Sequence, residues 1–318
     1  MKILILGAGA VGSWVGGSLE ASGNEITLVG RSSHVEAVNT SGLVIDDAET
    51  GETQTISFAR PAATEVPAGG EFDVILVTTK AYALDEVAAA IASYLPQTPV
   101  CLLQNGIGNE EVIWARAPAT ALTRALTSHG VIFQAAGHVT HTGVGLTFVG
   151  PVAFPEGTYA VSFEQAGQVA TALTDALTGA GIPAECVPDI ERRAWEKVCV
   201  NAGINPFGAI AGVPNSTLLE MPGMPAVMEG AVREAMAVAA ANGIDWGDLD
   251  PVQATFTVAE KTRNNRNSML QDLERGKMTE IMFMNGRIAA WGEELGIPTP
   301  INATVTALIK LLEQKSAQ

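Results

Sequence analysis

The chain opens on an unbroken apolar run, "KILIL" at residues 2 to 6, of the kind that forms a parallel strand covered on both faces. A glycine-rich turn follows, and "AVGSWVGGSLEAS" then reads as a helix rich in small residues. Similar apolar, β-branched runs recur at "EITLVG" (25 to 30), "FDVILVTTK" (72 to 80) and "PVCLLQNGIG" (99 to 108), with a helix from about Ala83 to Tyr94 between the last two. Strands alternating with helices predict an α/β domain with a doubly wound parallel sheet. From about 118 to 164 the texture shifts to Gly-punctuated stretches such as "GVIFQAAGHVTHTGVGLTFVG", which predict antiparallel strands finishing that sheet. A helix near 163 to 180 and the strand-like "AECV" close the first domain. Beyond "PDI" the apolar period is helical almost throughout, at 190 to 204, 225 to 242, 250 to 264, 277 to 295 and 301 to 314. The expected organisation is therefore an α/β domain over 1–188 and an all-helical domain over 189–318.

Composition narrows the function. At 318 residues, 47% hydrophobic and 16% charged, the chain has the makings of two globular domains. Its net charge of −16 would repel phosphate backbones and anionic lipid, so neither nucleic acid nor membrane is an expected partner. No apolar run reaches the length of a spanning helix, and the strand pattern starts at once with no cleavable leader, which predicts a cytoplasmic protein. Cys101, Cys186 and Cys199 lie in apolar sequence without C-x-x-C spacing and read as buried, reduced thiols.

The first candidate chemistry is Gly7-Ala8-Gly9-Ala10-Val11-Gly12, a G-x-G-x-x-G between a strand and a helix. Gly7 permits a tight turn, Gly9 leaves room for a pyrophosphate, and Gly12 lets helix and strand pack closely, while the helix N-terminus supplies N–H groups. Where an NAD site presents Asp or Glu at the end of the second strand, this chain reads "LVGRSS". Arg31 can grip a 2′-phosphate, so the expected cofactor is NADP. Two more strand ends carry polar groups where an open parallel sheet places its ligand crevice: Lys80 in "VTTKAY" and Asn105 in "LLQNGIG".

In the helical half, "AWEKVCVNAGINPFGAI" places Lys197, Asn201 and Asn205 four residues apart on an otherwise apolar helix. Such a stripe faces either solvent or a pocket. Pro206 disfavours helical dihedrals at Asn205, so the helix is expected to end or kink there. Downstream, "NNRNSMLQDLERGKMTEIMFMNG" contains Ser268 and Glu280, the latter at a position where it could also serve a helix dipole. His138 and His141 lie three apart on a predicted strand, hence on opposite faces, and no third ligand is in view, so no metal site is expected.

Together, "GAGAVG", "VGR", "VTTKA", "LLQNG", "AWEKVCVNAGINP", "NSMLQDLERGKMTEI" and "MNG" resemble, in order and from residue 1 to about 310, the ketopantoate reductase family. The resemblance implies an N-terminal Rossmann domain, a helical C-terminal domain and an active site in the cleft between them. It implies reduction of a 2-oxo acid by NADPH to the (R)-2-hydroxy acid, which makes pantoate for pantothenate and coenzyme A. Lys197 matches the family's catalytic lysine and Glu280 its active-site glutamate. Asn201, Asn205, Asn215 and Asn265 match substrate contacts, and Ser268 the serine that holds the substrate carboxylate. Lys80 and Asn105 match cofactor contacts, Arg31 the 2′-phosphate ligand, and Gly130 in "TSHG" a backbone contact to the cofactor where Ala is common. Ala83 stands where many members carry Gln.

This chemistry suits the residues. Charge that gathers on a keto oxygen is stabilised by a cation that can also donate the proton, and Lys197 fits both roles. Glu280 could orient Lys197 or bind a substrate hydroxyl. Two alternatives stand beside ketopantoate reduction: NADPH-dependent reduction of another 2-oxo acid, and an NADPH-binding regulator without catalysis. The Met- and Ala-rich run "MPGMPAVMEGAVREAMAVAAANG" fits either core packing or a homodimer contact.

Overall fold

A computed structural model describes residues 1–153 and 160–316. The chain forms two compact units, one of residues 1–104 and 109–190, the other of 105–108 and 191–318.

The first unit is built on β1 (Lys2–Leu6), β2 (Glu25–Val29), β5 (Val74–Val77), β6 (Val100–Leu102), β7 (Leu122–Thr127), β10 (Thr147–Pro151) and β11 (Ala184–Cys186). They form one sheet in the order β11-β10-β7-β6-β5-β1-β2. The five strands from β2 to β7 are parallel; β10 runs antiparallel to β7, and β11 parallel to β10. Ile3, Leu4 and Ile5 are fully buried, as expected of a strand covered on both faces. The helices around this sheet are α1 (Ala10–Ala21), α2 (Ser32–Ser41), α3 (Leu84–Ala90), α4 (Glu110–Arg116) and α5 (Ala160–Gly179). α3 is shorter than the expected helix to Tyr94 and is preceded by a single 3-10 turn at Ala81–Ala83.

The expectation that the 118–164 strands all finish the main sheet needs correction. β8 (Gly130–Ala135) and β9 (His138–Gly143) instead join β3 (Leu43–Asp47) and β4 (Thr53–Ile56) in a second sheet, ordered β4-β3-β9-β8. The physical reason lies in α1, which is packed on two sides. A Cβ on Gly16 would lie 3.1 Å from the Ile5 side chain of the main sheet, and one on Gly17 2.7 Å from Ile45 and 2.9 Å from Leu43 of the second. The small residues of α1 thus let two sheets approach one helix. Trp14 of α1 stacks on His141 of β9 with ring centroids 4.6 Å apart.

All four histidines of the chain sit around this second sheet. The His34 Nδ1 accepts from the Gly137 N–H (3.0 Å), and its Nε2 lies 3.0 Å from the Ser13 hydroxyl. The His129 Nδ1 accepts from the Gly145 N–H (3.2 Å) and lies 3.0 Å from the His141 Nε2. His138 and His141 pair with Asp46 and Asp47.

The second unit holds α6 (Ile190–Ala211), α7 (Asn215–Glu220), α8 (Met224–Ala241), α9 (Pro251–Lys261), α10 (Ser268–Glu274), α11 (Asn285–Leu295) and α12 (Pro300–Ser316). α8 places Met228, Ala231, Val232, Ala235, Val238 and Ala239 in the core, which accounts for its apolar face. No helix among the described residues is long and apolar enough to cross a membrane.

Three expectations fail in instructive ways. α6 does not end at Pro206 but runs on to Ala211. Pro206 has no N–H for the Ala202 carbonyl, and the Asn285 side-chain amide donates to that carbonyl instead (3.2 Å). The helix expected at 277 to 295 is interrupted: Gly276 ends the preceding turn at φ 63°, and the Thr279 N–H and hydroxyl both bond to Glu313 of α12 (2.8 and 2.7 Å). Only a 3-10 turn at Ile281–Phe283 precedes α11. Finally, Cys101 and Cys199 are buried but Cys186 is exposed, because β11 lies at the edge of its sheet.

The histidine cluster makes the fold acid-sensitive. Burial holds the His34 and His129 imidazoles below their ordinary value, and protonation would put a second hydrogen where each Nδ1 accepts a backbone N–H. The His141 ring, then the Thr50 N–H, lower the Asp47 carboxyl to about 2. All three groups bind protons more weakly folded than unfolded, so stability is lost as pH falls below about 6.5 for the histidines and about 3.9 for Asp47. Urea midpoints should drop from pH 7.5 to pH 5.5, and less so in His129→Gln; a flat profile would contradict this account.

Candidate functional site

The β1–α1 turn is formed by a close approach of backbones. Gly7 has φ 115°, and a Cβ there would lie 2.5 Å from the Thr79 nitrogen; one on Gly12 would lie 2.1 Å from the Gly7 carbonyl. The Thr78 hydroxyl, just past β5, donates to the Gly7 carbonyl (2.8 Å). Gly7 and Ala8 donate their N–H groups to the Val29 carbonyl at the end of β2 (3.0 Å each). Gly9 differs from Gly7 and Gly12. It is exposed, and a Cβ there would meet nothing nearer than the Gly7 carbonyl at 4.0 Å. Gly9 is also the N-cap of α1 and offers no side-chain cap. The turn therefore presents the opening N–H groups of α1, at Ala10 and Val11, beside open space. That cradle fits the pyrophosphate of a dinucleotide.

At the end of β2 a side chain on Gly30 would lie 2.5 Å from the Ala8 methyl, which holds this strand end against the glycine-rich turn. Arg31 follows as the exposed N-cap of α2, whose first turn contains no acidic residue. Lys80 is half-buried just past β5 and precedes the 3-10 turn. Gly130 opens β8. Gln104 belongs with this group although no motif in the sequence singles it out. It is buried, and its amide donates to the Thr79 carbonyl and hydroxyl (3.0 and 3.1 Å) and to the Lys80 carbonyl (3.3 Å). A Gln beside Asn105 at a strand end was the available signal.

Asn105 belongs to the helical unit. Its side-chain amide donates to the Glu280 carboxylate (3.1 Å), and two residues later the Ile107 N–H donates to the Phe283 carbonyl (3.1 Å). Gly106, at φ 92°, would place a Cβ 2.4 Å from that same carbonyl. Residues 105–108 are thus seated on the segment that carries Glu280. Glu280 is buried at 5% exposure and immediately precedes the 3-10 turn at 281–283, rather than sitting in the first turn of an α-helix.

α6 carries Lys197, Asn201 and Asn205, the first two half-buried and the third buried. Their spacing of four keeps them on one slowly drifting stripe. Asn215, buried at the start of α7, donates its side-chain amide to the Thr262 hydroxyl (2.9 Å) and its backbone N–H to the Asn265 carbonyl (3.2 Å). Asn265 and Ser268 are exposed, and Ser268 is the first residue of α10. Asn267 also escaped the sequence reading. Its Oδ1 accepts from the Leu270 N–H (3.0 Å), so it caps the helix that presents Ser268. Asn followed by a helical run is a recognisable cap signal. Among the described residues no group of three or more His, Cys, Asp or Glu side chains could hold a metal ion.

Comparison with known proteins agrees over the whole length. The model of the family described as ketopantoate reductase PanE/ApbA matches residues 3–153, and that of its C-terminal part matches residues 189–313. A 2-dehydropantoate 2-reductase of Pyrococcus horikoshii is 36% identical over 313 residues, covering 98% of each chain. One from Archaeoglobus fulgidus is 35% identical over 312 residues, again covering 98% of each. Among solved structures, a PanE/ApbA family ketopantoate reductase from Ralstonia eutropha is similar at TM-score 0.88 and 30% identity over all of both chains. A D-mandelate dehydrogenase, solved with NADH and anilino(oxo)acetate, is similar at TM-score 0.86 and 28% identity over 99% of each chain. The chain belongs to the ketopantoate reductase family.

Proposed function

We propose that this chain reduces 2-dehydropantoate (ketopantoate) to (R)-pantoate with NADPH. The observation that carries the reading is the polar stripe Lys197, Asn201 and Asn205 on a helix whose other positions are mostly buried and apolar, in a unit that also holds Asn105 and Glu280. A bound nicotinamide cofactor supplies the hydride. The Lys197 ammonium opposes the negative charge that develops on the keto oxygen and gives that oxygen its proton. Asn201 and Asn205 hold the substrate in place by hydrogen bonds, with Asn215, Asn265 and Ser268 as further contacts and the Ser268 hydroxyl on the carboxylate. Glu280, fixed by the Asn105 amide, accepts from the substrate hydroxyl or from Lys197.

NADPH is favoured over NADH because Arg31 stands exposed at the end of β2 with no carboxylate in the following helical turn. A guanidinium can meet a 2′-phosphate with two parallel hydrogen bonds, which an NADH ribose cannot reciprocate. Ala8, Ala10, Val11, Lys80, Asn105 and Gly130 complete the cofactor contacts of this reading. The similarity to D-mandelate dehydrogenase favours a second reading, in which the substrate is an aryl 2-oxo acid.

The purified protein should oxidise NADPH with ketopantoate much faster than with pyruvate, 2-oxoisovalerate or benzoylformate. Equal rates, or a preference for the aryl acid, would reject the first reading. Lys197→Ala should lower kcat by about 10²- to 10⁴-fold, the range of a lost general acid. Arg31→Ala should raise the KM for NADPH by roughly 10- to 100-fold, the worth of charge-assisted hydrogen bonds, and leave that for NADH unchanged. Gly9→Val should weaken NADPH binding while leaving the thermal midpoint within a few degrees of the native value. A collapse of the fold in that variant would mean that Gly9 serves packing instead.

A further inference from the structure

We propose that Asn285 is a positioning residue for the asparagine stripe of α6, replacing with its side-chain amide the N–H that Pro206 lacks and so setting the helical turn that carries Asn201 and Asn205. The inference rests on the reading of that stripe as the substrate-binding face.

The geometry is specific. In an uninterrupted helix the Ala202 carbonyl would accept from the N–H of residue 206, but proline has none and its ring crowds that carbonyl. The turn from 202 to 206 is therefore where α6 should kink. The helix nevertheless continues to Ala211, and the Asn285 Nδ2 lies 3.2 Å from the Ala202 carbonyl in a fully buried position. A buried carbonyl left without a donor is costly, so this bond stabilises the helical turn that runs into Pro206.

Asn285 is itself fixed. Its Nδ2 also donates to the Asn302 Oδ1 (3.0 Å), and the Asn302 amide donates to the Ala231 carbonyl (3.0 Å) and to the Glu234 carboxylate (2.7 Å). Glu234 accepts from the Ile301 and Asn302 N–H groups as well (2.9 Å each). Next along α6, a Cβ on Gly203 would come within 2.7 Å of Val232 and 2.9 Å of Thr255, so α8 and α9 close against the same turn. The turn between Asn201 and Asn205 is held by a hydrogen bond at residue 202 and by close packing at residue 203. Asn285 also follows Glu280 by five residues across the 3-10 turn, so one side chain ties the segment of the buried carboxylate to the asparagine stripe.

The test uses Asn285→Ala, Pro206→Ala and the double variant, since replacing the proline with alanine restores the missing N–H. In Asn285→Ala the KM for the 2-oxo acid should rise about tenfold, the scale of one lost buried hydrogen bond, with the KM for NADPH unchanged. Hydrogen exchange over residues 200–210 should speed up. Pro206→Ala alone should stay within about threefold of the native kcat/KM, and the double variant should regain most of both the KM and the protection. Wild-type KM and protection in Asn285→Ala would overturn the proposal. So would a deficit that Pro206→Ala does not repair, because Asn285 would then act elsewhere than at the Ala202 carbonyl. Absence of 2-oxo acid turnover in the native protein would refute the proposed function instead, and the exchange measurement would still decide whether Asn285 sets this turn.

Discussion

The α/β unit depends on one steric constraint, the contact of the β1–α1 turn with the end of β5. At Gly7 and Gly12 any side chain would fall within 2.5 Å of another backbone or hydroxyl atom, and the Thr78 hydroxyl bridges the gap by donating to the carbonyls of Leu6 and Gly7. With those two positions closed, α1 must start directly above the strand ends and point its N–H groups at the space beside Gly9. The same helix then supports both sheets through Gly16 and Gly17, which draws the second sheet and its histidines into the unit. The proposed cofactor cradle and the packing of the unit are two results of one set of small residues.

In the helical half the governing problem is different. A row of polar side chains has to be kept in register on a helix whose surroundings are apolar, and the price is a set of buried groups that all need partners. Asn285, Asn302 and Glu234 form one connected set, running from the carbonyl freed by Pro206 to the first N–H groups of α12. Thr279 and Glu313 do the same for the segment before Glu280, and Asn105 for the carboxylate itself. Polar groups beside the proposed chemistry are thus held by hydrogen bonds to other polar side chains.

The sequence disclosed those features whose causes are local. The tight turn at Gly7 to Gly12, the exposed arginine after β2 and the fourfold spacing on α6 each follow from a few adjacent residues, and the structure places them on the expected elements. Features with distant causes were hidden. The donor that meets the carbonyl freed by Pro206 comes from 83 residues away, which no local rule supplies. The sorting of β8 and β9 into a second sheet depends on what α1 can pack against, since strands of both sheets share one β-branched pattern. The interruption before α11 is set by Glu313 of α12, and Asn105 meets Glu280 across 175 residues. Cys186 is exposed because it lies on an edge strand, a placement set by the sheet order rather than by its neighbours in sequence.

Hydride transfer to the keto carbon is the step that the proposed roles of Lys197, the asparagine stripe and the cofactor cradle all serve. It can be followed directly by reacting ketopantoate with NADPH carrying deuterium at both C4 positions and analysing the product by mass spectrometry and NMR. The account predicts pantoate of (R) configuration with one deuterium at C2. Pantoate without deuterium, or no pantoate formed by an intact, NADPH-binding protein, would contradict it.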